Sequence, residues 1–427
     1  MRLKTKHTGR NHMSRPLTGA CIIGQSGGPT SVINASAYGV INTALASPYI
    51  TRVLGASHGI TGVLDDKLFD MGKEDDAELA LMLGTPSSVL GSCRFKLAEY
   101  EDDPATYERI LEIFKKYDVR YFFYNGGNDS MDTCNKVSKF MDKVGYECRI
   151  IGVPKTIDND LALTDHCPGY GSAAKYIATT MMELYLDAHV YNRGMICVVE
   201  VMGRNAGWLT AATALAKHFG HGPDLIYLPE HEFELSKFMQ TVGEIYKRQN
   251  NCLIAMSEGI HDKEGNLIAD YGKRESQTDA FGHRQLGGLA VTMAGYLSAH
   301  MDAKIRGIEL SLLQRCASHC ASQTDVDEAY IAGRDAVEYA VAGATGKMVG
   351  FDCKRSIDGY KCHTTLVDLD EVANKEKKLP LEWILPDGRG VTQDFIDYAL
   401  PLIQGESLQQ KENGLPRFAK LNKVFAK

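Results

Sequence analysis

The sequence predicts an α/β protein of two lobes, each built on a largely parallel sheet. Three observations lead there. Short apolar runs alternate with helical stretches, the arrangement that βαβ units require. The alternation comes in two series, one ending near residue 153 and the other spanning 195–309. A length of 427 residues leaves room for two or three domains with ample core.

Residues 1–16 are polar and basic and read as a loosely docked arm. Ala20-Cys21-Ile22-Ile23-Gly24 is a short buried strand that runs into Gln25-Ser26-Gly27-Gly28-Pro29-Thr30, with a helix expected from about 31 past 46. A strand, glycine turn and helix in succession aim free backbone N–H groups at an anion, although such a turn also serves plain packing. Residues 50–55 are the next strand. Leu90-Gly91-Ser92-Cys93-Arg94-Phe95 lies in a polar loop, where Arg94 suits a phosphate or the open surface equally. A helix is expected over 104–117. An aromatic-rich strand over 119–124 then delivers Asn125-Gly126-Gly127-Asn128-Asp129-Ser130 to the start of another helix.

The third strand, 148–153, leads into Pro154-Lys155-Thr156-Ile157-Asp158-Asn159-Asp160, with Pro154 stopping the strand. This loop carries one cation, a hydroxyl, and two carboxylates placed two residues apart. Asx-rich loops often do no more than satisfy backbone donors. Three loops at the carboxyl ends of neighbouring parallel strands, however, converge on one crevice, where such sheets bind ligands. Convergence favours an anion-handling site.

The second series begins with a long helix after Gly169, running to about 190. A strand over 195–201 ends in Met202-Gly203-Arg204, followed by one helix to about 219. Strands over 224–228 and 252–256 follow, the latter leading to Ser257-Glu258-Gly259. A helix from Gly287 to about 301 precedes the strand 304–309, which holds Arg306, with Arg315 just beyond. Arginine forks bind phosphate bidentately, although single arginines are also common surface charges. Residues 325–342 are helical, 347–352 form a final short strand, and the Lys- and Glu-rich stretch near 374–378 belongs to a tail of helix and loop without a motif.

Composition narrows the function. Hydrophobic residues at 44% and charged residues at 24% describe an ordinary soluble globular protein. No apolar run is long enough to span a bilayer, and the start lacks the apolar core of a signal peptide. Eleven scattered cysteines suit reduced thiols in a cytoplasm. Cys316, His319 and Cys320 cluster without a fourth zinc ligand, so a metal site is not expected there. A net charge of −7 argues against nucleic acid as a partner. No Asp or Glu precedes Asp65, while Arg2, Lys4, Lys6, Arg10, Arg15 and Arg52 do, which favours anions in the first lobe or a solvated basic tail.

The series GQSGGPTSVIN, LGSCRF, GGNDS, PKTIDND, EVMGRNAGW and SEG, in this order, resembles the phosphofructokinase family, in particular its pyrophosphate-dependent 6-phosphofructokinases. The resemblance covers about residues 19–351. It implies two Rossmann-like lobes with the active site in the cleft between them. The expected division is a basic arm at 1–16, a donor-phosphate lobe at 17–169 completed by about 316–365, a sugar-phosphate lobe at 170–315, and an extension at 366–427. The implied reaction is reversible transfer between pyrophosphate and fructose 6-phosphate with Mg²⁺, in a cytoplasmic homodimer or homotetramer whose active site is shared between subunits.

By the resemblance Asp158 is the general base toward the sugar 1-hydroxyl, with Thr156 and Asp160 beside it. Met202, Gly203, Arg204 and Glu258 match sugar-contacting positions. Arg306 and Arg315 match arginines that bind the 6-phosphate, the first from an adjacent subunit, and Gly28 and Arg94 match the donor side. Lys155 and Asp129 stand where ATP-using relatives have glycine. A carboxylate at 129 repels a nucleotide α-phosphate by about 1 kcal/mol in water and about 4 at an effective dielectric near 20, at contact distance. Lys155 supplies charge that the rest of ATP no longer organises, so both favour pyrophosphate.

Three positions depart from the pattern. Asn128 replaces an aspartate associated with magnesium, which puts direct ligation there in doubt; it is a tentative metal residue. Leu312 stands at a histidine position, and Arg193 is offset from an arginine near the strand 195–201. Alternatives are an ATP-dependent or other sugar-phosphate kinase, such as one for sedoheptulose 7-phosphate, and a non-catalytic regulatory subunit. Intact Lys155, Asp158 and Arg204 argue against the last.

Overall fold

Parallel strands buried on both faces dictate the architecture of the computed structural model, which describes residues 15–190, 192–271 and 288–427. In the first lobe β1 (Gly19–Gln25), β2 (Ile50–Ala56), β3 (Leu68–Asp70), β4 (Val119–Gly126) and β5 (Arg149–Pro154) lie in one sheet. Successive residues alternate between its faces. Ile22, Phe122, Tyr124 and Ile150 pack under the helices Pro104–Lys116 and Asn128–Lys143. Cys21, Ile23, Tyr121, Phe123 and Ile151 pack under Ile33–Ala46 and Gln323–Val341. The last two helices touch backbone to backbone, because a Cβ on Gly333 would sit 2.0 Å from Ser36 O.

Local chemistry sets the helix ends. Asp103 Oδ1 accepts from Thr106 N at 3.3 Å, Pro104 occupies the first turn, and Lys115 and Lys116 close the last.

The second sheet holds β6 (Met195–Val201), β7 (Leu225–Tyr227), β8 (Cys252–Ser257) and β9 (Lys304–Glu309) in the order β7-β8-β6-β9, all parallel. Ile196, Val198 and Ile254 face the helices Leu235–Gln249 and Leu289–His300. Cys197, Val199 and Leu253 face Tyr170–Ala188 and Trp208. The chain then returns to the first sheet through β10 (Lys347–Ser356) and β11 (Gly359–Asp368), giving the order β11-β10-β5-β4-β1-β2-β3.

Several expected elements differ. The helix expected up to 219 is broken into Trp208–Ala211 and Ala214–His218, with no side-chain cap on either. The strand at 347–352 is not final: it runs on to Ser356 and turns back antiparallel as β11. Pro154 is the last residue of β5 rather than the residue that stops it. Gly287 and residues 1–14 of the expected arm lie outside the described residues.

The C-terminal stretch wraps both lobes. Residues 374–377 cross the mouth between them, and residues 424–426 lie along β3. There Asp70 N donates to Val424 O at 2.8 Å and Ala426 N to Leu68 O at 2.7 Å. Among the described residues no helix is long and apolar enough to cross a membrane.

Candidate active site

Register brings three loops to one edge. Gln25 pairs with Asn125, and Asn125 with Val153, so β1, β4 and β5 end level and hand over to residues 26–30, 127–130 and 155–160. The order β2-β1-β4 reverses direction between β1 and β4, the switch point where open α/β sheets hold ligands. The loops are stitched together as well. Ser26 N donates to Asn125 O at 2.9 Å, Lys155 N to Gly126 O at 3.0 Å, and Gly27 N to Cys93 O at 3.0 Å, which draws in the Arg94 loop.

A cleft of about 650 Å³ opens above these ends. Gly28, Arg94, Asn128, Asp129, Lys155, Thr156, Asp158, Asp160, Met202, Arg204, Glu258 and Arg315 all line it. Gly203 sits just behind, its N–H donating to Glu258 Oε1 at 3.3 Å. Arg306 does not line the cleft. It lies exposed on edge strand β9, opposite Cys197.

Lys155 is the most confined of these charges, at 3% exposure, and its Nζ donates to Gly28 O at 2.7 Å. Gly27 has φ +77°, a left-handed turn that L side chains avoid, and a Cβ there would also stand 3.3 Å from Lys155 Nζ. Arg315 closes on the neighbouring residue: a Cβ on Gly28 would meet its Nη1 at 3.2 Å. The two glycines therefore admit two cations to one loop. Burial pulls the Lys155 ammonium down to about 8, against the pull of Asp158 and Asp160. Burial, with Arg94 close by, also lowers Arg315.

The carboxylates shift the other way. Burial raises Asp158 in spite of Lys155, and the Thr156 hydroxyl, 3.2 Å from Asp158 Oδ2, partly offsets it. Asp158 N donates back to Thr156 Oγ1 at 3.1 Å, which fixes the carboxylate's stem. Asp160 is pushed up to about 7 by burial, then by Asp158 and Glu376. Glu258 is pushed up to about 7, chiefly by burial. Carboxylates that hold protons near neutrality, beside a cation that yields one, are suited to proton transfer and anion binding.

Residues 374–377 are the part that sequence reasoning missed. Asn374 and Glu376 line the cleft. Asn374 N donates to Asn128 Oδ1 at 2.6 Å, and Asn128 Nδ2 donates to Lys375 O at 2.7 Å. Lys377 N donates to Asp160 O at 2.7 Å. On the second lobe Asn205 Nδ2 donates to Glu376 Oε1 at 2.7 Å, and Trp208 Nε1 to Lys377 O at 2.9 Å. This strap thus ties the GGNDS loop, the Asp158 loop and the segment after β6 together. Lys96 and Asn205 line the cleft too, also unforeseen.

Asp129, Asp158, Asp160, Glu376 and the Asn128 amide oxygen line the cleft and are hard oxygen donors of the kind magnesium takes, but no three of these carboxylates bring oxygens within 4.8 Å of one another. Asn128 Oδ1 already accepts one hydrogen bond, which leaves it a single lone pair.

A family model described as phosphofructokinase matches residues 20–308. The chain is 45% identical over 403 residues to the pyrophosphate–fructose 6-phosphate 1-phosphotransferase of Halomonas elongata, covering 93% of this chain and 95% of that one. It is 43% identical over 404 residues to the enzyme of the same name from Methylococcus capsulatus, covering 94% and 95%. The crystal structure of a pyrophosphate-dependent phosphofructokinase from Marinobacter aquaeolei is similar at TM-score 0.85 and 39% identity, over 96% of this chain and 97% of that one.

Proposed function

The chain belongs to the phosphofructokinase family, and from that premise we propose that it moves a phosphoryl group reversibly between pyrophosphate and fructose 6-phosphate. The products are fructose 1,6-bisphosphate and phosphate. One observation carries the choice of donor. The loops that meet at the switch point hold a buried lysine against Gly28 O and an aspartate, Asp129, in the first turn of a helix. A small, highly charged anion gains from the first, and a nucleotide is repelled by the second.

Asp158 takes the proton from the sugar 1-hydroxyl as that oxygen attacks phosphorus, and Thr156 aims its carboxylate. Lys155, Arg94 and Arg315 surround the moving phosphoryl group with positive charge. For Arg315 this differs from the 6-phosphate role that the family resemblance implies, because its guanidinium rests beside the donor loop at Gly28. Met202, Gly203, Arg204 and Glu258 serve the sugar side, with Asp160 supporting the base loop. Asp129, Asp160 or Glu376, with Asn128 as a weaker donor, would hold magnesium, which would neutralise charge on the phosphates.

Arg306 acts from a neighbouring subunit in a homodimer or homotetramer. It stands exposed on β9, and close after that strand Leu312 and Leu313 are 54% and 59% exposed, apolar surface that a partner would cover. The cytoplasm suits a chain whose eleven cysteines are all free thiols.

The test is a coupled assay of pyrophosphate against ATP at equal Mg²⁺. Pyrophosphate should give the higher kcat/KM; equal or better turnover with ATP would overturn the donor assignment.

A further inference from the structure

Cys353 and Cys362 are register partners across the β10–β11 hairpin. Directly opposed residues of an antiparallel pair have Cα atoms about 4.5 or 5.5 Å apart, within the span a disulfide bridges without moving the backbone. Both are partly exposed, whereas Cys21, Cys134, Cys148, Cys167, Cys197 and Cys252 are buried.

Their surroundings single out one sulfur. Cys353 Sγ lies 3.8 Å from His166 Nδ1 and 3.3 Å from the Tyr360 hydroxyl. His166 is held between carboxylates, with Asp165 at 3.1 Å and Glu328 at 2.7 Å, which raise it well above the ordinary imidazole range. The Cys362 thiol and then His166 draw the Cys353 thiol down to about 6, and Cys362 is raised in turn. These contacts favour Cys353 over Cys362 as the sulfur that gives up its proton.

Asp165, His166 and Cys353 also bring possible metal-ligand atoms together. Arg355, however, occupies both carboxylate oxygens of Asp165 at 2.8 Å, and the two nitrogens of His166 face Asp165 and Glu328. A cation would have to displace a complete ion-pair network, so the site favours thiol chemistry.

We propose that Cys353 and Cys362 form a peroxide-reactive dithiol that closes reversibly to a disulfide across the hairpin. The Cys353 thiolate attacks one oxygen of hydrogen peroxide and breaks the O–O bond. The departing hydroxide takes a proton to become water, and the sulfur becomes a sulfenic acid. Cys362, deprotonated as it attacks, then forms the S–S bond and expels the sulfenic oxygen as a second water. The two sulfurs lose two electrons, and one peroxide is reduced. This site stands apart from the phosphoryl-transfer reading.

Peptide mapping of the native protein after brief hydrogen peroxide treatment tests it. Cys353 and Cys362 should escape alkylation as one crosslinked pair and return on adding dithiothreitol, while Cys316 and Cys320, partly exposed as well, remain alkylatable. Cys362→Ser should leave a sulfenic acid on Cys353 that a 1,3-dicarbonyl probe captures, and Cys353→Ser should leave Cys362 unmodified at the same dose. Wild-type protein whose 353 and 362 thiols stay alkylatable, or are oxidised no faster than Cys316 and Cys320, overturns the proposal. The wild-type experiment decides alone should a variant fail to fold.

Discussion

Replacing Lys155 with methionine should make the resting protein more stable while it destroys turnover. The lysine is 3% exposed, and its pKa falls from 10.5 to about 8. A shift of roughly 2.5 units at about 1.36 kcal/mol each means the folded protein holds this charge at a cost of about 3 kcal/mol. Losing the hydrogen bond to Gly28 O returns about 1 kcal/mol of that. The net gain is about 2 kcal/mol. With an unfolding entropy of about 2.1 cal/mol/K per residue over 427 residues, that is a rise of roughly 2 °C in the melting midpoint.

The pH dependence has a definite sign. Between about 8 and 10.5 the unfolded lysine keeps a proton that the folded one has lost, so wild-type stability rises with pH across that window. The advantage of Lys155→Met is therefore full below pH 8 and fades toward 10.5. Saturating pyrophosphate should reverse the ranking, since a ligand at about 100 times its Kd stabilises by about 2.7 kcal/mol and the variant binds it poorly. Scanning fluorimetry with and without pyrophosphate, from pH 7 to 10, reads all of this. A variant that melts at or below wild type at pH 7 without ligand would refute the claim that this charge is held against its burial.

Other outcomes follow from the same cleft. Asp158→Asn should lower kcat by about 10²–10⁴-fold with little change in KM for the sugar, as loss of a general base does; steady-state kinetics decide it. Asp129→Gly should raise the ratio of kcat/KM for ATP to that for pyrophosphate, and adding Lys155→Gly should raise it further though not additively, as the two face one small ligand. Glu376→Gln removes a charge that helps raise Asp158 and Asp160, so the acid limb of the pH–rate profile should move to lower pH; an unmoved limb would place Glu376 outside their field. Arg306→Ala and Asp158→Asn, each inactive alone, should regain activity on subunit exchange, whereas a mixture that stays inactive would argue against a shared site.

The parts of this site legible in the sequence were those where chemistry and local geometry coincide. Glycines at 27 and 28, carboxylates at 158 and 160, and an arginine after β6 announce themselves because a strand end must turn there. The strap did not. Lys375-Glu376-Lys377-Lys378 reads as a solvated charge run, yet in the fold Lys377 Nζ donates to Thr164 O at 3.1 Å and to Asp165 O at 2.8 Å beneath Trp208. Its meaning comes from partners some two hundred positions away. The β10–β11 hairpin was hidden differently: its outer half alternates exposed charges with half-buried residues such as Cys353 and Arg355, so no continuous apolar run marks it. The helix Leu235–Gln249 did carry a signal, the spacing of Phe238, Val242 and Ile245, which the brief apolar content left unread.

The closing of β3 by residues 424–426 has a cost that falls during biosynthesis. A bare sheet edge is a template for pairing with another chain. On this protein the cover for that edge leaves the ribosome after both lobes, so the nascent first lobe carries an open strand for the whole time the second is being made. The stacking of Phe425 on Phe69, with ring centres 5.0 Å apart, then removes an apolar patch along with the free backbone groups. Damage to these few residues, far from every group in the cleft, would therefore surface as insoluble protein rather than as slow catalysis.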